Sequence, residues 1–413
     1  MFQLKSYKST LKRWGLSDNP FRSQPPEDIK KLGRIFYGRE QELETAIPAL
    51  YEGRNVLVRG AWGIGKTALI LRLLDCLQQE VAELDEKMLV LYLNGVKGDS
   101  AADFYRALLL AIADSLEKEN GDSEAKAIVD SLQGRANLGN KVRKEGKVTL
   151  GVISFGASSE SGLPSKIENP YALLMPILDK AQESFDRVVL AVDDLDKKDT
   201  VVVQDILEGS LDLFRRGEKR AFLMTGRGFT DLQEANLKAL GIFSADLSLS
   251  PMSREALYQI AINYLNLERE TPRDDPYPFS EEVLNLIVEY AQGIPRQLNV
   301  ICEKVLRQGA MKGCDRLDEA TFRPIWNGIQ KDLTYQLTPQ MRQLIYIAYQ
   351  AGGISEDIDD RYLEQLNVQT FVELLPILKD LEGRDILIRQ EQESGDRMLP
   401  SKQYLPPSKS DEE

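Results

Sequence analysis

Runs of two kinds alternate along the first 250 residues. Residues 55–58, 88–93 and 188–192 read as buried strands and residues 221–225 and 245–249 as two further strands, and residues 68–74, 101–117 and 203–216 carry a helical pattern between them. Strands alternating with helices predict a parallel sheet covered on both faces. Between the second and third strands, roughly residues 118–168 form an insertion: a polar helix, a basic Gly-rich stretch expected as an exposed loop, a segment at 148–156 that alternates like a hairpin, and a Ser/Gly-rich exit. From Ser253 onward the pattern turns helical, clearest at 256–265, 280–291 and 295–308, which predicts a small helical domain. The last segment gives helices at 339–349, near 356–366 and near 370–381, a strand at 386–389, a turn at 393–396 and a return strand towards Tyr404. Three helices and a hairpin predict a winged helix.

Between the first strand and its helix, residues 60–67 read Gly-Ala-Trp-Gly-Ile-Gly-Lys-Thr and match G-x-x-x-x-G-K-[ST] at every fixed position. Glycines let backbone N–H groups converge on phosphate oxygens at a helix N-terminus, where the dipole favours negative charge. Gly60, Gly63, Ile64, Gly65, Lys66, Thr67 and Ala68 are therefore the candidate triphosphate-binding positions. Lys66 adds a point charge and Thr67 a hydroxyl ligand for Mg²⁺.

The strand at 188–192 runs into Asp193 and Asp194. Carboxylates at the carboxyl edge of such a strand emerge beside the phosphate loop. Asp193 is the candidate that holds Mg²⁺, directly or through water, and Asp194 the one that orients or deprotonates the attacking water. Asp194 is one methylene shorter than a glutamate, and a base ~1.5 Å too far from the water costs on the order of 10²-fold, which predicts slow turnover.

Composition narrows the chemistry. The 413 residues with 42% apolar content bury more than one core and fit about two or three domains. There is no histidine, so imidazole bases, Ser-His-Asp triads and the usual zinc sites are excluded and any base is a carboxylate. Three scattered cysteines predict reduced thiols and a cytoplasmic home. The longest apolar stretch, near Leu108, is far below the roughly 20 residues a bilayer span needs, and no secretory signal opens the chain. Net charge is -13, yet residues 1–36 hold eight Lys or Arg against three acids, and the insertion carries Arg135, Lys141, Arg143, Lys144 and Lys147 against Glu145.

These motifs resemble the AAA+ and STAND branches of P-loop ATPases, particularly the group joining origin-recognition initiators, transposon-targeting ATPases and secretion-type ATPases of the ExeA kind. The run Tyr37-Gly38-Arg39-Glu40-Gln41-Glu42-Leu43, preceded by Asn19-Pro20-Phe21, looks like the family's N-terminal box, which implies that Tyr37 and Arg39 lie near the adenine. The resemblance puts Thr225 at the polar sensor position. It also makes Gly293-Ile294-Pro295-Arg296-Gln297-Leu298 similar to the second-sensor motif, which would aim Arg296 at the γ-phosphate. Thr225-Gly226-Arg227 leans towards the STAND flavour. An arginine finger before the fifth strand is missing, with Lys238, Arg215, Arg216 and Arg227 as substitutes.

The expected architecture is α/β: a parallel five-stranded P-loop NTPase sheet with helices on both faces, an α-helical lid and a C-terminal winged helix. Its divisions are a basic N-terminal arm (1–36), an ATPase core (37–250), the lid (251–334), the winged helix (335–405) and an acidic tail (406–413). Two functions compete. One is an ATP-switched, oligomeric assembly that binds double-stranded DNA, with Lys141, Arg143, Lys144 and Lys147 as contacts. The other is a signal-transducing STAND switch whose winged helix docks on protein. Residues 335–413 favour the second on charge, with eight basic residues against fifteen acidic ones. A structural adaptor with a degenerate site is a third class, disfavoured because Lys66, Thr67 and Asp193 are intact.

Overall fold

A computed structural model describes residues 4–22, 29–96, 100–133, 140–145, 148–154, 167, 169–193, 195, 200–215, 219–226, 241–335, 337–384, 386–390, 397–401 and 404. The chain divides into two units, one of residues 39–60 and 66–250, the other of residues 1–38, 61–65 and 251–413.

The first of these is built on one seven-stranded sheet. Its strands are β1 (Asn55–Gly60), β2 (Met88–Asn94), β3 (Asn140–Glu145), β4 (Val148–Ser154), β5 (Arg187–Asp193), β6 (Arg220–Thr225) and β7 (Phe243–Leu249), in the order β3-β4-β2-β5-β6-β1-β7. The five strands expected from sequence run parallel as β2-β5-β6-β1-β7. Helices α3 (Glu40–Tyr51), α4 (Lys66–Glu83), α5 (Ala101–Asn120), α6 (Ser123–Gln133), α7 (Pro170–Ser184), α8 (Thr200–Gly209) and α9 (Leu211–Arg215) connect or cover them. Both residue parities of β5 are buried from Val188 to Val192, so the centre of the sheet is covered on both faces, whereas the edge strand β7 exposes Ser244, Asp246 and Ser248. Val188, Leu190 and Val192 pack with α5, α7 and α8 in one apolar cluster. Asn55 closes the base of the sheet: its amide donates to Phe214 O and Ile242 O at 2.8 and 3.0 Å and its Oδ1 accepts from Phe222 N.

Two expectations are corrected. The basic stretch of the insertion is a strand, not a loop: β3 pairs antiparallel with β4, and β4 pairs parallel with β2, so the insertion extends the sheet. An outer edge on β2 would leave a row of unpaired N–H and C=O groups, and this pairing satisfies them. The single helix expected over 203–216 is broken at Ser210, whose hydroxyl donates to the Ile206 carbonyl.

The other unit is helical. It contains α1 (Leu4–Arg13), α2 (Ile29–Ile35), α10 (Arg254–Glu268), α11 (Glu281–Ala291), α12 (Pro295–Lys312), α13 (Glu319–Tyr335), α14 (Pro339–Gln350), α15 (Asp360–Gln365) and α16 (Phe371–Gly383). Side chains of Ser253, Ser280 and Thr338 cap α10, α11 and α14, each accepting a backbone N–H of its helix's first turn. The N-terminal segment is part of this unit's core, since α1 packs on α12 and Trp14 is buried with its indole N–H donating to Asp315 O at 2.9 Å. Phe21 lies against Tyr264 and Phe279.

The last three helices and the hairpin β8 (Leu387–Gln390) and β9 (Arg397–Pro400) share a core of Leu344, Ile347, Leu374, Leu378 and Leu381. Among the described residues no helix is long and apolar enough to cross a membrane. All three cysteines are free.

Candidate functional site

Three strand ends define the site. The connection from β1 runs towards β2 and that from β6 towards β7, in opposite directions across the sheet, so with right-handed crossovers they leave this adjacent pair on opposite faces, and in open α/β sheets ligands bind outside the carboxyl ends of strands at such a switch point. Gly60, Thr225 and Asp193 are the last residues of β1, β6 and β5.

The phosphate loop follows β1 directly and α4 begins at Lys66. Gly63 and Gly65 take φ of +77° and +105°, a region that strains any residue with a Cβ. At Gly65 a Cβ would meet nothing within 4 Å, so the backbone there borders open space that only a hydrogen leaves clear. Ile64 is buried, while the flanking positions Gly63 and Gly65–Ala68 are half-buried. The Lys66 ammonium donates to Gly60 O at 2.9 Å, which folds it back across the loop.

Asp193 is 2% exposed, and its Oδ2 accepts from the Tyr92 hydroxyl at 2.7 Å. Thr225 is fully buried and its hydroxyl donates to Val58 O at 2.6 Å, tying the end of β6 to β1, the strand that runs into the glycine loop. Arg39 is also buried: its guanidinium donates to Glu42 at 2.8 Å and to Ser250 O at 2.6 Å. Those bonds clamp the start of α3 to the end of β7.

In the helical unit, Tyr37 is 44% exposed. Gln292 and Gly293 turn the chain through positive φ, and Pro295 opens α12, so Arg296 stands in the first turn of that helix. Residues 61–65 belong to this unit, and within it the Arg296 N–H donates to Gly63 O at 3.3 Å. The Arg296 guanidinium lies over the Trp62 ring, 4.5 Å from its centroid.

Asp194 and Lys147 lie outside the described residues, as do Arg216, Arg227 and Lys238. Lys141, Arg143 and Lys144 stand on β3, whose side chains are likewise outside them. Arg215 ends α9 and is exposed. Sequence reasoning missed Tyr92 and Trp62. Trp62 was visible as an aromatic inside a glycine motif, whereas Tyr92 is one residue of a buried strand with nothing to mark its partner.

A profile of the AAA ATPase domain matches residues 35–252, more than half of the chain, and the chain belongs to that family. An uncharacterized HTH-type transcriptional regulator of Methanocaldococcus jannaschii is 21% identical over 164 residues, 37% of this chain and 40% of that protein. The chain thus spans about two fifths of the length of this curated relative. The ORC2 protein of Aeropyrum pernix, in ADPNP–ADP complexes, has a similar fold, with TM-score 0.50 and 15% identity over 90% of this chain and 91% of that one. The Aeropyrum pernix ORC1 protein in complex with DNA gives TM-score 0.49 and 13% identity over 91% and 93%.

Proposed function

We propose that the chain is an ATP-hydrolysing switch that binds double-stranded DNA as an oligomer. The observation that carries the nucleotide part is the phosphate loop itself: a family-matching strand, loop and helix with open space at Gly65 and a lysine at the helix start. Backbone N–H groups of residues 63–68 and the Lys66 ammonium would hold the phosphates, and Thr67 with Asp193 would hold Mg²⁺. Bound there, such an ion would supply positive charge to offset that of the phosphates. Asp194 orients the attacking water and takes its proton as the oxygen bonds to the γ-phosphorus, while the bond to the β-phosphate oxygen breaks to give ADP and phosphate. Thr225 and Arg296 are the sensor residues, and Tyr37 borders the base. The bonds of Arg39 to Glu42 and Ser250 favour a structural use of that side chain.

Calorimetry with Mg-ATP tests this. Lys66→Ala is expected to abolish the heat of binding, and Asp194→Asn to keep affinity while slowing single-turnover hydrolysis by at least about 10²-fold. Equal loss of binding in both variants would overturn the assignment.

Two features support the DNA part. Lys5, Lys8 and Lys12 lie on one exposed face of α1 and, among the described residues, make no ion pair, whereas Arg13 is committed to Asp315 and the carbonyls of Gly313 and Cys314. The insertion adds Lys141, Arg143, Lys144 and Lys147. Oligomerisation, a lid over 251–334, a winged helix over 335–405 and membership of the initiator, STAND or ExeA-like group are part of the same proposal.

One observation favours protein docking by the C-terminal domain. On α16, Val372 and Leu375 are exposed, and two nearby arginines are ion-paired: Arg389 with Glu382 at 3.0 Å and Arg384 with Asp380 at 3.4 Å. Such a face offers apolar area rather than charge.

A further inference from the structure

The Tyr92 hydroxyl bonds the carboxylate of Asp193 from the neighbouring strand. Tyr92 is 4% exposed and sits among Met88, Leu89, Val90, Leu91 and Leu93, all fully buried. A phenol in such surroundings must find a hydrogen-bond partner or lose the hydration it had in water. Register explains how it reaches this one. Tyr92 pairs with Ala191, and Asn94 pairs with Asp193. Side chains two apart share a face, so Tyr92, Ala191 and Asp193 point to the same side of the sheet. The methyl of Ala191 leaves room for the ring to lean along the ladder towards the strand's carboxyl end. At 2.7 Å the bond has the length of a well-formed O–H···O hydrogen bond.

We propose that Tyr92 is a positioning residue for Asp193, fixing the rotation of its carboxylate so that the acid meets Mg²⁺ bound with the nucleotide already oriented. This rests on the reading of Asp193 as a metal-holding residue given above. Hydrogen-bond partners that orient a ligating group typically change metal affinity about 10- to 100-fold when removed.

The test uses the full chain with Tyr92→Phe, which keeps the ring and its burial and deletes only the hydroxyl. ATP affinity is measured by calorimetry in EDTA and at stepped Mg²⁺ concentrations. Without Mg²⁺ the variant should match the wild-type protein, while the Mg²⁺ concentration giving half of the affinity gain should rise about 10-fold. Asp193→Asn should erase the gain, and adding Tyr92→Phe to it should change nothing further. Tyr92→Met provides a second hydroxyl-free side chain should the Phe variant misfold. A wild-type Mg²⁺ midpoint in Tyr92→Phe overturns the proposal, as does an equal loss of affinity with and without Mg²⁺, which would mark a packing role. If the wild-type protein itself gains no affinity from Mg²⁺, the reading of Asp193 falls and this inference with it. A normal gain in the wild type with an unaltered variant sinks the inference alone.

Discussion

Gly65 concentrates the demands that the phosphate loop makes on single residues. At φ +105° an L-residue is strained by about 1–2 kcal/mol, and its Cβ would project into the open space beside the loop. Gly65→Ala is therefore expected to lower ATP affinity by at least about tenfold, as titration calorimetry would read, with a loss of stability no larger than that strain. The requirement for glycine at this position was legible in the sequence, because the motif fixes residue type and spacing together. The bonds of Arg39 to Ser250 and of Tyr92 to Asp193 were not. Each is set by a residue far along the chain, Ser250 for Arg39 and Asp193 for Tyr92, and no local pattern encodes such a meeting.

At the scale of elements, periodicity found the strands and most helices, because burial on both faces forces β1, β2, β5 and β6 to be continuously apolar. It misread the insertion, where Lys141, Arg143 and Lys144 look like loop residues but stand on β3, at the edge of the sheet. The N-terminal helix is a second case, in which charge drew attention away from packing. Leu11, Trp14 and Leu16 are buried, and Trp14 is among the largest fully buried side chains. Trp14→Ala should cost about 3–5 kcal/mol in chemical denaturation. A loss below ~1 kcal/mol would show that α1 contributes little to the helical unit.

For the whole molecule, net charge is -13, and Lys5, Lys8 and Lys12, exposed on α1 and without an ion pair among the described residues, are set against it as positions that can attract a polyanion. Replacing Lys5, Lys8 and Lys12 by Gln should make duplex-DNA binding less salt-dependent, lowering the log–log slope by roughly 0.9 for each phosphate that is no longer neutralised. The Arg replacements should keep the slope. The insertion variant Lys141→Gln, Arg143→Gln, Lys144→Gln, Lys147→Gln provides the parallel comparison, and slopes equal to the wild type in both sets would count against both surfaces.

The sequence alone determined the five parallel strands, the helices of clearest periodicity, the glycine motif between β1 and α4 and the absence of histidine, because those depend on local periodicity, spacing and composition. Tertiary structure decided that the insertion joins the sheet, that α1 belongs to a core, and that the Asp193 carboxylate receives a phenol hydroxyl. The physical reason is the same each time: these outcomes depend on which distant segment fills an open strand edge, an apolar helix face or an unsatisfied hydrogen bond, and only the folded chain brings the two together.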